Sequence, residues 1–520
     1  MGLFKTLPRE QISNLDSLPF LDRSLIDYSK YHKFIGHAGV QNSMSIQATR
    51  GCPYRCFFCD IFKINKKHYR RSVENIFMEV CALASRMGVK KIEFIDDNFN
   101  VNKGDFKAFF KLVLKHKLKL TFFFPTGLRG DLLDKDSIDL MVEAGTIGIN
   151  LALEHPSLRI QKIMKKELNI EKLHQNLSYI TEKYPSVILT LNAMHGFPTE
   201  TESEAYQTLD FINSIHWVHF PYLHNVIIFP GTGLETFALE NGIKKEDIDK
   251  SVNLSYHEYP TTLPFSKEFT EHIRISFLRD YILNKKRLND ILPYQFKQFT
   301  REELDQKYNG YFPSKSMTLE KLLKISHIDN LRISPRKQDT ISYVSKRQFP
   351  KAKYALKLLL LDLTAFSSIE KDKYNVFEPP IGLMYLLSYL NRRFGIMIEG
   401  RICKPQIDFT NEKELLNIIK NFQPHVIGIR GMTVYKDIFY KTIEQIRNEN
   451  GTVPIVTGGP YPTTSYEEVL NSSTVDVVVI GEGEKTFAEL IESIIMNDNK
   501  LPDVEQLKSI NGIAFNIKEE

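Results

Sequence analysis

Two α/β units in tandem, a partial (β/α) barrel followed by a doubly wound Rossmann-like domain, are the fold class this sequence predicts. Three observations carry the prediction. Strand and helix patterns alternate from Met44 to Phe229, four near-continuous apolar runs recur between Leu356 and Ile480, and glycine turns follow the last two of those runs. Alternation places parallel strands beside crossover helices, and runs apolar on both faces suit the interior of a parallel sheet.

The elements follow in order. Met44, Ile46 and Ala48 alternate in a short strand that runs into Thr49-Arg50-Gly51-Cys52-Pro53-Tyr54-Arg55-Cys56-Phe57-Phe58-Cys59-Asp60, so the cysteines sit on a loop after a strand. Ser72 is an N-cap, and Val73, Ile76, Phe77, Val80, Leu83 and Met87 follow at helical spacing until Gly88. Ile92–Ile95 is the next strand. Leu118–Phe124, Ile147–Leu153, Val187–Met194 and His224–Phe229 are further strands, with helices at Asp134–Ala144, Ile170–Lys183 and Ser203–Ile215. The stretch 96–117 carries no predicted element. Functional residues of such barrels gather at the carboxyl ends of the strands, where the cysteine loop, Asp96, Glu154 and Gly196 all fall.

Beyond residue 240 the rhythm is lost. Phe265–Leu292 reads as helical, while Tyr308–Lys315 and Ser334–Lys353 read as loop and linker. The apolar runs Leu356–Leu363, Val426–Ile429, Val453–Thr457 and Val475–Ile480 are the strands of the second unit. Pro379-Pro380 opens a helix whose Leu383, Leu386, Leu387, Leu390 and Phe394 share a face, with Gly395 just past its end. The glycine turns Gly458-Gly459-Pro460-Tyr461-Pro462 and Gly481-Glu482-Gly483-Glu484 lie where doubly wound sheets bind cofactors. The organisation is a linker-like segment at 1–42, a barrel at 43–240, a mixed helical and loop bridge at 241–354 and a Rossmann-like domain at 355–520.

Composition narrows the class. At 520 residues the chain can carry roughly two to four cores. Its ordinary apolar and charged content excludes disorder as a theme, and its net charge of +5, spread along the chain, gives no ground for nucleic-acid binding. No apolar run approaches a membrane span or a signal peptide. Five cysteines, three of them within eight residues, point to metal rather than to a disulfide framework and to a reducing cytoplasm.

Thiolates select iron-sulfur clusters or zinc. Cysteines at i, i+4 and i+7 can each reach one iron of a cubane and leave the fourth open to another ligand. A zinc site completed by His68 is the alternative reading of the same spacing. Cys81, on an apolar helical face, and Cys403, near a strand, read as core residues.

Cys52, Cys56 and Cys59, with Phe58 before the last of them, resemble the CxxxCxxC signature of the radical S-adenosylmethionine (SAM) superfamily. The resemblance extends over about Ser43 to Gly242. It implies a 4Fe-4S cluster held by the three cysteines, which act as metal ligands and catalytic residues, and cleavage of SAM to a 5'-deoxyadenosyl radical. It places Phe58 near the adenine, Asp96 and Asn98 of Ile95-Asp96-Asp97-Asn98-Phe99 near the SAM amino group, and Arg129 facing the site. Glu154 matches a ribose-contacting position, and Lys166 a basic position that meets the SAM carboxylate. Gly196-Phe197-Pro198-Thr199-Glu200 is similar to the family's Gly-Leu-Pro-Gly-Glu turn, with Thr199 in place of the usual glycine.

Residues from about Ala355 to Phe515 resemble the cobalamin-binding domain of the B12-dependent radical SAM enzymes. The resemblance rests on Pro379-Pro380-Ile381-Gly382-Leu383, Val426-Ile427-Gly428-Ile429, and the two glycine turns. It implies cobalamin contacts from Gly382, Met432, Thr433, Gly458, Gly459, Tyr461, Gly481 and Glu482. Two departures stand out. The sequence has no Asp-x-His-x-x-Gly motif to supply a lower cobalt ligand, and Arg430-Gly431-Met432 stands where related domains often carry Ser-x-Leu. Relatives commonly place the cobalamin domain first, then a linker similar to Ile12-Ser13-Asn14-Leu15-Asp16-Ser17-Leu18-Pro19-Phe20, then the cysteines. This chain looks circularly permuted, and its two cofactor faces are expected to meet.

The resemblance implies a cobalamin-dependent methyltransferase acting on an unactivated carbon, with an electron donor such as flavodoxin or ferredoxin and a small-molecule or peptide substrate. Radical cyclisation or rearrangement is a second reading, and a non-catalytic corrinoid or SAM sensor a third. Methylthiotransfer is disfavoured, since Cys81 and Cys403 cannot supply a second three-cysteine cluster.

Overall fold

Local signals set the barrel helices. Ser72 accepts the Asn75 N–H at the start of Val73–Met87, and Gly88, at φ 66°, ends that helix in the left-handed region its sequence position calls for. Asn169 caps Ile170–Lys183, and Thr201 with Glu204 closes a reciprocal capping box on Glu202–Ser214. The structure is a computed structural model and describes residues 2–31, 38–61, 67–251, 264–312, 317–328, 336, 356–364, 378–449 and 451–517.

Six parallel strands pair in chain order: Ser43–Ile46, Lys91–Phe94, Thr121–Phe124, Thr146–Glu154, Ile188–His195 and Phe220–Asn225. Sequential parallel pairing of this kind is the partial β/α barrel. Ile149, Leu151 and Leu153 are fully buried in the layer between sheet and helices, while Asn150, Ala152 and Glu154 alternate with them on the opposite face. A helix at Lys103–Lys115, capped by Asn102, fills the stretch left without an element. Its Phe109 and Phe110 pack edge-on against Phe122 and Phe124 of the sheet, at centroid distances of 5.9 to 6.2 Å, and Phe106 meets Phe124 at a tilt.

The sixth strand is Phe220–Asn225 rather than the apolar run His224–Phe229. Its length is set by its partner: the ladder runs from Thr190–Phe220 to His195–Asn225 and stops where the neighbouring chain turns away at Gly196. Val226 and Ile228 instead join a small apolar cluster with Phe197 and Leu234.

The bridging residues hold the helices Lys267–Phe277, Lys285–Gln298, Arg301–Asn309 and Leu319–Ile325. The predicted single helix over 265–292 is therefore two, separated by a wider turn at Leu278–Ile282. Tyr308 lies in a helix, whereas 313–315 and, apart from residue 336, the linker 334–353 lie outside the described residues. Fully buried Arg287 fastens this region to the barrel by donating to the carbonyls of Val218 and His219, and it also donates to Ile282 of its own region.

The second sheet has seven strands. Ile398–Cys403, Leu356–Asp362, Val426–Arg430, Ile455–Gly458 and Val477–Val479 lie side by side and parallel, followed by antiparallel Ile513–Ile517 and Gly2–Lys5. Gly2–Lys5, within the segment read as a linker, is thus the edge strand of the C-terminal sheet. The chain reverses its direction across the sheet between Leu356–Asp362 and Val426–Arg430, which makes a crevice at their carboxyl ends. No helix among the described residues is long and apolar enough to cross a membrane.

Candidate active site at the junction of the two sheets

The cysteine loop is pinned before it begins. Asp96, just past the strand Lys91–Phe94, accepts the N–H groups of Ala48 (2.8 Å) and Thr49 and the Thr49 hydroxyl (2.7 Å), and Asp97 accepts the Gly51 N–H at 3.0 Å. Burial pushes the Asp96 carboxyl up to about 7 in spite of these bonds, and its Oδ2 is buried without a partner. Gly127, at φ 72°, closes on the same residue: a Cβ there would stand 2.1 Å from the Asp96 carbonyl oxygen. The turn carrying Arg129 therefore packs directly on the backbone of the residue whose carboxylate positions the loop.

Cys52, Cys56 and Cys59 are free and part-exposed, and the Asn98 amide lies 4.0 Å from the Cys52 sulfur. Phe57 is stitched to the far side of the barrel, its N–H on the Met164 carbonyl (2.8 Å) and its carbonyl accepting from Leu234 (3.0 Å). Phe58 meets Phe197 edge-on at 6.4 Å. Burial raises all three thiols, Cys59 to about 12, so a metal must displace the protons to bind there. His68 is engaged elsewhere, its Nε2 on the Asn98 carbonyl at 3.0 Å. Among the described residues no three His, Cys, Asp or Glu side chains close round a single ion; thiols that each hold a different corner of a cubane need not do so. Three thiols of a soft donor type, without a fourth, fit a cluster with one open iron.

Glu154, at φ 60° on the end of its strand, accepts the Lys166 ammonium at 2.7 Å, and the field of both reaches the Cys56 thiol. Arg129 bonds Asp131 at 2.9 Å and lies 3.9 Å over the Tyr54 ring. Gly196 and Phe197 donate their N–H groups to buried Glu200 at 2.6 and 2.8 Å, and His155 and His195 flank the same carboxylate at 3.3 Å. Phe58, Asp96, Asn98, Arg129, Glu154, Lys166 and Gly196 thus surround the cysteine loop at the carboxyl ends of the barrel strands.

Inside the barrel lies a polar wall that sequence reading did not single out. The Asn150 amide donates to the Pro125 carbonyl (2.7 Å), that of Asn192 donates to Asn150 (2.8 Å), and His224 Nε2 lies 3.2 Å from Asn192 Oδ1. Each bond fixes the orientation of the next, so Nε2 is the donor. Burial lowers His224 to about 4 and keeps it neutral. Period-2 placement of Asn150 and Asn192 between apolar neighbours was the available signal.

The crevice of the second sheet holds a cavity of about 320 Å³, lined among others by Gly382, Gly458, Gly459, Gly481 and Glu482. A Cβ at Gly382 or Gly481 would meet nothing within 4 Å, and the buried Thr457 hydroxyl on the cavity has no partner. Bare backbone facing open space and an orphaned hydroxyl fit a bound cofactor. Met432 and Thr433 lie outside this lining, and Tyr461 is buried with its hydroxyl 2.8 Å from that of Tyr440. Arg430 lines the cavity and is held by Asp362 at 3.2 Å, which also faces Lys404 at 3.4 Å. Gln47 and Arg50, from the cysteine side, complete the wall. Nothing in the sequence could pair Arg50 with partners more than 430 positions away.

The family model of the radical SAM superfamily matches residues 46–212, and that of the B12 binding domain matches 371–491. An uncharacterized methyltransferase, PH0819 of Pyrococcus horikoshii, is 25% identical over 297 residues, 55% of this chain and 61% of its own length. The ribosomal protein uS12 methylthiotransferase RimO of Chlorobaculum tepidum is 26% identical over 221 residues, 40% of this chain and 48% of its own. The chain thus spans about half to three fifths of these curated relatives. Among solved structures, the radical SAM methyltransferase TsrM of Kitasatospora setae, with cobalamin and a 4Fe-4S cluster bound, aligns at 19% identity and a TM-score of 0.34 over 38% of this chain and 36% of its own. The cobalamin-dependent radical SAM enzyme OxsB aligns at 17% and 0.29 over 46% and 36%.

Proposed function

Since the chain carries a radical SAM domain ahead of a B12-binding domain, with a 4Fe-4S cluster, SAM and cobalamin as their cofactors, we propose that it is a cobalamin-dependent radical SAM methyltransferase acting on an unactivated carbon. The supporting observation is the shared wall: the cavity of the second sheet is bounded by Gln47 and Arg50, the latter two residues before Cys52. Two cofactor sites so placed can act on one substrate between them.

When bound, the cluster and SAM supply a hydrogen-abstracting radical and cobalamin supplies the methyl group. The protein's own part is to hold and to exclude water. Cys52, Cys56 and Cys59 would bind three irons. Lys166, fixed by Glu154, would receive the SAM carboxylate, and the unpartnered Oδ2 of Asp96, with Asn98, would take its amino group. The adenine would lie between Phe58 and the Gly196 turn, with Arg129 at the rim. Gly382, Gly458, Gly459, Gly481 and Glu482 would hold the corrin, with Tyr461 bracing the Gly459 turn from behind. Asn150, Asn192 and His224 would present hydrogen-bonding groups to the substrate. A low-potential donor such as flavodoxin or ferredoxin would reduce the cluster.

The test needs no identified substrate. Protein reconstituted anaerobically with iron, sulfide and cobalamin is given SAM and a reductant. A methyltransferase of this type yields about one S-adenosylhomocysteine per cobalamin, as methyl leaves SAM, beside 5'-deoxyadenosine. A rearrangement enzyme yields 5'-deoxyadenosine alone, and a sensor neither; either result would refute the reading. Replacing all three cysteines by Ala should abolish iron binding and 5'-deoxyadenosine together.

A further inference from the structure

Arg50 is fixed at both ends, by different halves of the chain. At its backbone, Asp96 holds the Thr49 N–H, Asp97 holds the Gly51 N–H, and Arg50 itself pairs with Tyr69 in a short antiparallel ribbon. At its tip, Nη2 donates to Glu484 at 2.5 Å, Nη1 lies 3.6 Å from Glu482, and the guanidinium stands 5.6 Å over the Tyr385 ring. Glu482 in turn accepts the Ile12 N–H at 2.7 Å. The residue is buried, 9% exposed.

A flexible surface pair would let the two halves shift. Here both carboxylates belong to the glycine turn that rims the cavity, and the cation belongs to the loop that carries the cysteines. A guanidinium can fork between two carboxylates, which a lysine ammonium on its flexible stem cannot do with the same definition. Buried charges of this kind are costly to part, because either partner is then left unpaired in a low-dielectric setting.

We infer that Arg50, clasped by Glu482 and Glu484, is a positioning residue that sets the separation between the cysteine-held cluster and a corrin in the second cavity. This rests on the reading above only in that both cofactors bind; it is independent of the reaction that follows.

The experiment uses the full chain, loaded anaerobically with cluster and cobalamin. The readout is the enhancement of cob(II)alamin electron-spin relaxation by the reduced cluster, which is steep in distance, beside iron and corrinoid content. Arg50→Met should lose most of the enhancement, and Arg50→Lys, reaching one carboxylate, should retain part. Lys30→Met removes a different contact between the halves, the Lys30–Asp408 pair at 2.9 Å, and should keep the wild-type signal. Wild-type enhancement in Arg50→Met with both cofactors bound overturns the clasp, and so does an equal loss in Lys30→Met. If Arg50→Met fails to hold a cofactor, Glu484→Gln, which retains the Arg50 side chain but removes one of its two carboxylates, is judged by the same two outcomes. A wild-type protein that binds both cofactors without enhancement sinks the clasp alone, whereas one that binds no corrinoid sinks it together with the functional reading.

Discussion

Glu200 shows how much a single buried carboxylate can organise. Burial alone would raise its pKa, but hydrogen bonds from His155 and His195 outweigh that and hold it down to about 2. A carboxylate depressed below its unfolded value stabilises the fold above roughly pH 4.5, and that contribution is lost as pH falls toward 2. The melting midpoint of the barrel should therefore drop over this window, and less steeply in Glu200→Gln. At neutral pH, Glu200→Gln should cost about 3 kcal/mol, as expected when a buried charged group loses its pairing; unchanged thermal unfolding would contradict this. The same turn explains a departure visible in the sequence. Thr199 occupies φ 70°, a glycine-favouring conformation, and Arg159 secures it through its hydroxyl at 3.1 Å and its carbonyl at 2.7 Å. The residue identities were legible, but not this compensation, because Arg159 lies 40 positions away.

Among the elements, helix Ile381–Phe394 carries the clearest ligand signal. Gly382 stands in its first turn, where glycine weakens a helix by up to about 1 kcal/mol relative to alanine, yet no neighbour lies within 4 Å of a Cβ built there. Packing does not demand the glycine, so the cavity does. Gly382→Ala should leave melting unchanged or higher, whereas Gly382→Phe, projecting into the cavity, should cut corrinoid per chain severalfold after gel filtration while iron content stays constant. Full loading of Gly382→Phe would break the link between this glycine and the corrin. Helices were the most legible elements. Ser72, Asn169 and Gly395 mark ends that the backbone obeys, and even the overlooked helix Lys103–Lys115 had its signal in Asn102 and in Phe106, Phe109, Phe110 and Val113 at i, i+3, i+4 and i+7. Strand limits were not, since Phe220–Asn225 is bounded by the length of its neighbour rather than by its own apolar run.

At the scale of the molecule, the order of the domains and their contacts tell the same story. The radical SAM match precedes the B12-binding match in sequence, yet the described chain begins as an edge strand of the second sheet before it enters the barrel. Thr6 donates to and accepts from Ile513 at 3.0 Å, and Gly512 donates to the Leu7 carbonyl at 2.8 Å. From there the linker-like segment follows the second domain, with Asp22 on Ser388 and the Ser17 carbonyl on Arg392, before it enters the barrel at Ser43. The segment that leads into the barrel is thus a neighbour of the last strand of the second sheet, as a circularly permuted order would place it. Periodicity gave five strands of the first sheet and four of the seven strands of the second; it missed Ile398–Cys403, Ile513–Ile517 and Gly2–Lys5, and it could not give this adjacency, which depends on pairs some 500 positions apart. The edge strand makes the arrangement testable. Gly2–Lys5 covers the hydrogen-bonding edge of Ile513–Ile517, Phe4 packs on Phe515 at 5.6 Å, and Arg9 is paired with Glu489. Without residues 1–10, the strand Ile513–Ile517 becomes an exposed sheet edge, a ready template for pairing with another chain. The shortened protein should unfold at lower temperature and self-associate with rising concentration, measured by light scattering beside the full chain. A shortened protein that stays monodisperse and melts with the full-length chain would show that the second sheet is complete without its first strand.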